Sequence, residues 1–354
     1  MTHPTIDLAS DTSTRPTAAM RKAMAKAKVG DEQKDEDPST TELCERAAAL
    51  LGHQAALFLP SGTMANLIAT NVHCRPGDEV IAARNAHIVN SEGAGISAVA
   101  GVGIITIDSS TGIFTEHDLA AIKRPLRHRS PRQKMISIEQ TTNRGGGKVW
   151  PLETIKSLRQ YADNNNLVLH MDGARLLNAT IASGISAAQF GACCDSVWLD
   201  LSKGLGAPVG SVLTGSQEFI NQAWTWKHRL GGAMRQSGII ASAGLHALEH
   251  HVGRIADDHL NAQYFAQEVA NIKGFNLAFD EIETNLVFID TRQHTITAPD
   301  LAQQLAQQGI RIGVEGNHML RAVTHLDVDR AAIETALSAL KNIAMSNSLS
   351  VAQM

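Results

Sequence analysis

Lys203 follows the apolar run Ser196-Val-Trp-Leu199 and heads a stretch of small residues, Gly204, Gly206, Ala207, Pro208 and Gly210. A second apolar run, Val209 to Leu213, comes next. A lysine in a tight turn between buried strands loses water, which disfavours the ammonium and leaves an amine able to attack an aldehyde. A surface lysine in a loop has the same local signature, so other segments must decide.

Two do. Asp172, in His170-Met-Asp-Gly-Ala-Arg175, ends the apolar run Asn166-Leu-Val-Leu169 and precedes a helical pattern. An acid at the carboxyl end of a strand in an α/β protein points into the ligand crevice. Pyridoxal phosphate needs such an acid to keep its pyridine nitrogen protonated. One helix and one strand separate Asp172 from Lys203, so both can meet at neighbouring strand ends; alone, Asp172 reads equally well as a helix cap. The second segment is Leu59-Pro-Ser-Gly-Thr-Met-Ala-Asn66, between an apolar strand and a helix. Ser61, Gly62 and Thr63 would offer backbone N–H groups to the cofactor phosphate, although Ser-Gly-Thr is also an ordinary capped turn.

With Ile6-Asp-Leu-Ala-Ser-Asp-Thr12, Glu36-Asp-Pro38, Ala86-His-Ile88, Asn143-Arg-Gly-Gly-Gly147, Leu230-Gly-Gly-Ala-Met-Arg-Gln236 and Leu320-Arg-Ala-Val-Thr-His325, these segments run nearly end to end. In this order the chain resembles the threonine aldolase family, pyridoxal-phosphate enzymes of the aspartate-aminotransferase fold type. The resemblance implies that Lys203 carries the cofactor and Asp172 holds its ring nitrogen. It implies that His87 stacks on the ring, and that Arg175 and Arg235 lie close to it. Arg321, Arg175 and Ser10 are implied for the substrate carboxylate, which a guanidinium fork matches. The implied reaction is cleavage of a small-molecule substrate, an L-β-hydroxy-α-amino acid, to glycine and an aldehyde, with His87, His128 or a held water as base. The implied assembly is a homo-oligomer, a tetramer built as a dimer of dimers.

The wall around the substrate side chain departs from the family pattern. Gln33-Lys-Asp-Glu-Asp37 stands where relatives carry Val-Tyr-Gly-Glu-Asp, so Lys34 replaces a tyrosine that normally reaches an active site across a subunit boundary. His128-Arg-Ser-Pro-Arg132 replaces His-Phe-x-Arg, with its histidine displaced or exchanged for Arg129. Two cations there would favour an acidic or polar β-substituent over a methyl. β-Elimination and racemisation remain open on the same core. Nicotinamide binding has one feature, Gly204-x-Gly206, but its third glycine comes a residue late at Gly210.

Periodicity supplies the frame. From Ala55 to about Leu213, apolar strands alternate with helical patterns, the order of a mostly parallel sheet with helices on both faces. Candidate strands are 55–59, 79–82, 102–107, 134–138, 167–170, 195–199 and 209–214, with helices centred on 63–72, 91–99, 115–122, 151–163, 173–182 and 216–227. A capping box at Ser39-Thr-Thr-Glu42 predicts a helix to Leu51. The expected fold is α/β, with an arm and large cofactor domain over residues 1–250 and a smaller α+β domain over 251–354. The tail from Ser346 reads as frayed.

Composition excludes other classes. Lys+Arg 31 against Asp+Glu 35 gives a net charge of −4, no field for nucleic acid or an anionic membrane. No run reaches the ~18 apolar residues of a bilayer span, and the N-terminus has no basic flank and apolar core of a leader. Cys44, Cys74, Cys193 and Cys194 form no metal framework and read as small core residues of a reducing compartment. His250 and His251 read as solvated. A cytoplasmic enzyme with no metal and no membrane or nucleic-acid partner is expected.

Overall fold

The strand and helix order expected between residues 55 and 215 recurs in a computed structural model, which describes residues 5–125 and 127–351, the last five by backbone alone. The strands are β1 (Ile6–Leu8), β2 (Ala55–Leu59), β3 (Asp78–Ala83), β4 (Gly103–Ile107), β5 (Arg132–Glu139), β6 (Val168–Gly173), β7 (Ser196–Asp200), β8 (Ser211–Gly215), β9 (Asn276–Leu277), β10 (Leu286–Asp290), β11 (Ile310–Val314) and β12 (Met319–Val323). They make two sheets in two units. One unit is Pro16–Val252; the other joins the residues up to Arg15 to those from Gly253 onward.

The larger unit holds the sheet β2-β8-β7-β6-β5-β3-β4. Its β7-β6-β5-β3-β4 ladder is parallel throughout, and β8 runs against both neighbours. Every residue of β3, β7 and β8 is buried. Side chains alternate between faces, so a wholly buried strand means that both faces are covered. On one side, Ala65, Ile68 and Ala69 of the helix Gly62–His73 pack with Leu57, Leu59, Trp198 and Leu213. Burying those side chains is worth about 1.5–3 kcal/mol for each large one.

The smaller unit holds the sheet β1-β11-β12-β10-β9. The arm, assigned by sequence to the large domain, packs here instead. Its β1 pairs in parallel with β11, Ile6 opposite Ile310 and Leu8 opposite Ile312, and both apolar residues join this unit's core. Three residues were too short a run to show a period.

Three boundaries differ for local reasons. The helix read from Ser39 begins at Pro38, because Asp37 caps it by accepting from Thr40 N–H at 2.9 Å, and proline suits a first helical position. The helix expected over 91–99 is two single turns, His87–Asn90 and Gly95–Ala98, with Ala94 left-handed at φ 56° between them. The tail does not fray at Ser346, since the helix Arg330–Val351 continues through it. Residues 1–4 and 352–354, part of the leader and tail readings, lie outside the described residues. Among the described residues no helix is long and apolar enough to cross a membrane. Cys74, Cys193 and Cys194 are buried and Cys44 half-buried, all four as free thiols.

Candidate active site

Parallel strands deliver their carboxyl ends to one edge of a sheet. At that edge of the larger unit, Asp172 closes β6, Glu139 closes β5 beside it in register, and Trp198 of β7 pairs with Asp172 on the other side. Lys203 lies in the loop leaving β7, and His87 begins the first turn after β3. The sheet therefore brings Asp172, Lys203 and His87 together from three strand ends.

Asp172 is 3% exposed, so its carboxylate needs donors. Asn66 Nδ2 donates to its Oδ2 at 2.9 Å and Ala174 N–H to its Oδ1 at 3.1 Å. The same Asn66 amide donates to Glu92 Oε1 at 2.7 Å. Glu92 Oε1 also meets His87 Nδ1 at 2.7 Å. Nitrogen and carboxylate oxygens of His87, Glu92 and Asp172 thus lie within 4.8 Å of one another. Asn66 is itself fixed: its Oδ1 accepts from Trp198 Nε1 at 2.7 Å and contacts His170 Nε2 at 3.1 Å. His170 Nδ1 and His73 Nε2 both reach Ser196 Oγ, at 2.8 and 2.9 Å. Burial pushes His170 down to about 3 and His73 to about 4, so both stay neutral.

The charges here act on one another. The hydrogen bond to Glu92 raises the His87 imidazole above its ordinary range, aided by the Asp172 and Glu92 charges and opposed by burial and by Lys203. Burial and the Asp172 charge push Glu139 up to about 7. Glu92 is raised by burial and by Asp172, against its bonds to His87 and Asn66. A histidine and two carboxyls all held to their protons more tightly than usual suit proton transfer.

Lys203 is 17% exposed along its side chain, and its amine lies 3.2 Å from Asp200 Oδ2 and 5.8 Å from the centre of the Trp198 ring. The expectation of a lysine turned in among apolar walls is thus amended by a carboxylate that the sequence reading passed over. Ser202 braces Asp200 through backbone N–H and hydroxyl, at 2.7 and 2.8 Å. The loop closes tightly, with Leu201 N–H on Gly210 O at 3.0 Å. Gly210 sits at φ 118°, and a Cβ there would come 2.6 Å from the Phe58 ring. His251, read as solvated, is buried and bonds the Leu205 carbonyl through Nδ1 at 2.7 Å, anchoring the same loop.

The turn at 61–63 opens the helix Gly62–His73, capped by Ser61 Oγ accepting from Met64 N–H at 3.2 Å. Gly62 has a packing reason: a Cβ there would lie 2.1 Å from the Trp198 ring. Ser61 and Thr63 are exposed. Arg175 is buried, its backbone N–H on Gln140 O at 3.0 Å and its charge close enough to oppose the rise of Glu139.

The other sequence candidates have surroundings of their own. His128 is exposed in a turn before β5, at the amino end of a strand whose carboxyl end is Glu139, so the fold of one chain does not bring it to the cluster. Arg129 is exposed beside it. Lys34 is exposed at the end of the short helix Glu32–Lys34. Arg235 is 60% exposed and pairs with Asp31 at 2.8 Å. In the smaller unit, Arg321 of β12 donates from Nη2 to Ala9 O at 3.1 Å and lies 3.4 Å from Glu315. That places it beside Ser10, whose Oγ accepts from Thr12 Oγ1 at 2.8 Å. Asn66, Glu92, Glu139 and Trp198 were missed as site residues. A polar Asn66 among Ala65, Ile68 and Ala69 was a legible signal; Glu92 gave none until the turn carried it back to His87.

A family model described as beta-eliminating lyase matches residues 7–292. The low-specificity L-threonine aldolase 1 of Arabidopsis thaliana is 39% identical over 341 residues, covering 94% of this chain and 94% of the relative. The low specificity L-threonine aldolase of Escherichia coli strain K12 is 39% identical over 326 residues, covering 92% and 95%. The solved threonine aldolase of Leishmania major superposes with a TM-score of 0.81 over 96% of this chain and 99% of that one, at 18% identity, a likeness of fold.

Proposed function

This chain belongs to the beta-eliminating lyase family, and from that membership and the edge cluster we propose a pyridoxal-phosphate-dependent aldolase that cleaves L-β-hydroxy-α-amino acids, L-threonine and L-allo-threonine among them, to glycine and an aldehyde. The carrying observation is the buried Asp172 carboxylate, at the strand end next to the one that Lys203 leaves and bonded through Asn66 to the partner of His87. An acid so buried and braced suits a protonated pyridine nitrogen. The turn fits as well, because Ser61 and Thr63 stand exposed at the N-terminus of the helix Gly62–His73, whose N–H groups suit a phosphate.

Bound there, pyridoxal phosphate supplies an aldehyde that a lysine can join and a ring that accepts an electron pair. Lys203 would hold that aldehyde, Ser61, Gly62 and Thr63 the phosphate, and Asp172 the ring proton. His87 and the buried Arg175 flank the same edge. His87 serves as the base that takes the β-hydroxyl proton while the Cα–Cβ bond breaks and the aldehyde leaves. Cα then takes a proton to give glycine. Arg321 and Ser10 offer a guanidinium fork and a hydroxyl suited to an α-carboxylate. The exposed Arg235, Lys34 and His128 take no part in this reading for a single chain. We also propose a homo-oligomer: Val29 and Ile239 are 46% and 48% exposed in the larger unit, apolar surface that a second copy would cover.

The test incubates cofactor-loaded protein with L-threonine and L-allo-threonine and measures products. Glycine and acetaldehyde in equal amounts are expected. Release of ammonia with a 2-oxo acid, or conversion to the D-amino acid, would overturn the aldolase in favour of elimination or racemisation.

A further inference from the structure

Asn66 and Glu92 belong to no part of the mechanism so far, yet they sit between its two charged residues. Hydrogen-bond direction can be worked out atom by atom. Trp198 Nε1 can only donate, so the Asn66 atom it meets at 2.7 Å is the carbonyl oxygen. The Asn66 NH2 group therefore faces Glu92 Oε1 and Asp172 Oδ2, and both oxygens accept. Glu92 Oε1 already receives that N–H, and its remaining contact is His87 Nδ1 at 2.7 Å. An ionised Glu92 carboxylate has no proton to give, so the proton of this second bond belongs to Nδ1. The neutral His87 ring is then the Nδ1–H tautomer, with its lone pair on Nε2.

We propose that Glu92 is the positioning residue for His87: held in place by the Asn66 amide that it shares with Asp172, it fixes the proton on Nδ1 and leaves Nε2 as the basic nitrogen. The inference rests on the reading of His87 as the base. The groups facing His87 are Glu92 from the following turn, Asp172 from β6, Lys203 from the loop after β7 and Glu139 at the end of β5. Of these, Glu92 is the one in direct hydrogen bond with the ring. A charged acceptor makes a bond about twice as strong as a neutral one, so Glu92 also strengthens the base. The Asn66 bridge couples the two carboxylates, so a proton change at His87 is felt at Asp172 without direct contact.

The test uses labelled histidine and nitrogen NMR on the cofactor-loaded protein, which reads the tautomer and titration of His87 whatever reaction the enzyme runs. In the native protein Nδ1–H is expected, with a titration midpoint above ordinary histidine. In Glu92→Gln the midpoint should fall by about one pH unit, a tenfold change in proton affinity, and the acid limb of kcat/KM should move with it. Unchanged absorbance of the bound cofactor would show that the Asp172 end is intact. An Nε2–H tautomer in the native protein overturns the proposal, as does a midpoint that does not move in Glu92→Gln. Should that variant not fold, the native tautomer alone decides. If the NMR results hold but no glycine and aldehyde form, the aldolase reading fails while the positioning role stands.

Discussion

Asp172 and Lys34 each stand close to an acidic neighbour, but their surroundings differ in kind. Asp172 is buried, and every donor to its carboxylate comes from a group that is fixed in turn: Asn66 by Trp198, Ala174 by the turn itself. Lys34 stands in solvent within a turn held by Asp31 and Glu36, beside an exposed Arg235–Asp31 pair. Removing one partner of a buried charge pair costs about 3–5 kcal/mol, whereas an exposed pair is worth about 0–1. Burial forces each polar atom at the sheet edge to find a partner, and that requirement is what gives the site its geometry. At the exposed Lys34 burial makes no such demand.

The contrast is sharpest at the two lysines that are drawn out of water. Lys227 is fully buried, ion-paired to Glu32 at 2.8 Å and placed over the Trp224 ring. Lys203 keeps access at the strand ends while Asp200 holds its amine. Lys203→Ala should remove all measurable turnover, because no other amine shares its loop; residual glycine production above background in an otherwise folded variant would break the contrast. Asp172→Asn should retain the cofactor and lower kcat by at least one to two decades, since a charge-assisted hydrogen bond is worth ~1.5–3 kcal/mol. Steady-state kinetics with L-threonine reads this, and near-normal turnover would remove Asp172 from its role.

Arg321→Lys tests the smaller unit. The ammonium keeps the charge and loses the fork, so KM should rise by roughly tenfold, about 1.4 kcal/mol, and by the same factor for every amino acid substrate. An effect confined to one substrate would place Arg321 beside the side chain instead. The smallest effect is expected at the exposed turn. Lys34→Tyr should change kcat/KM by no more than about twofold and leave the ratio for 3-hydroxyaspartate over threonine unmoved. A large shift in that ratio would mean that a neighbouring copy turns this surface residue into a substrate contact, and would support the expectation of an acidic or polar β-substituent.

The sheet was legible because most of its strands are apolar runs, several closed by glycine or by an acid, and the βα alternation orders them. Lys203, Asp172 and His87 could be found for the same reason, each lying just past an apolar run. What escaped notice needed three dimensions. Glu92 lies in a break between two single helical turns that reads as one helix from spacing alone. Asp200 stood one residue past the expected strand 195–199, and its reach to Lys203 follows from how tightly the loop folds back on Gly210. The arm pairs with a strand some three hundred positions later, a contact no local period encodes. His128 was carried over by motif, and its place at the amino end of β5 follows from strand direction, which the sequence states only once β5 is assigned.

The central claim is that Lys203, and not another lysine, carries the cofactor at the carboxyl edge beside Asp172. Borohydride reduction of the cofactor-loaded protein, followed by digestion and mass mapping of the modified peptide, tests it directly. The account predicts a single cofactor label on Lys203. A label on Lys227 or any other lysine, or no label at all, would contradict it.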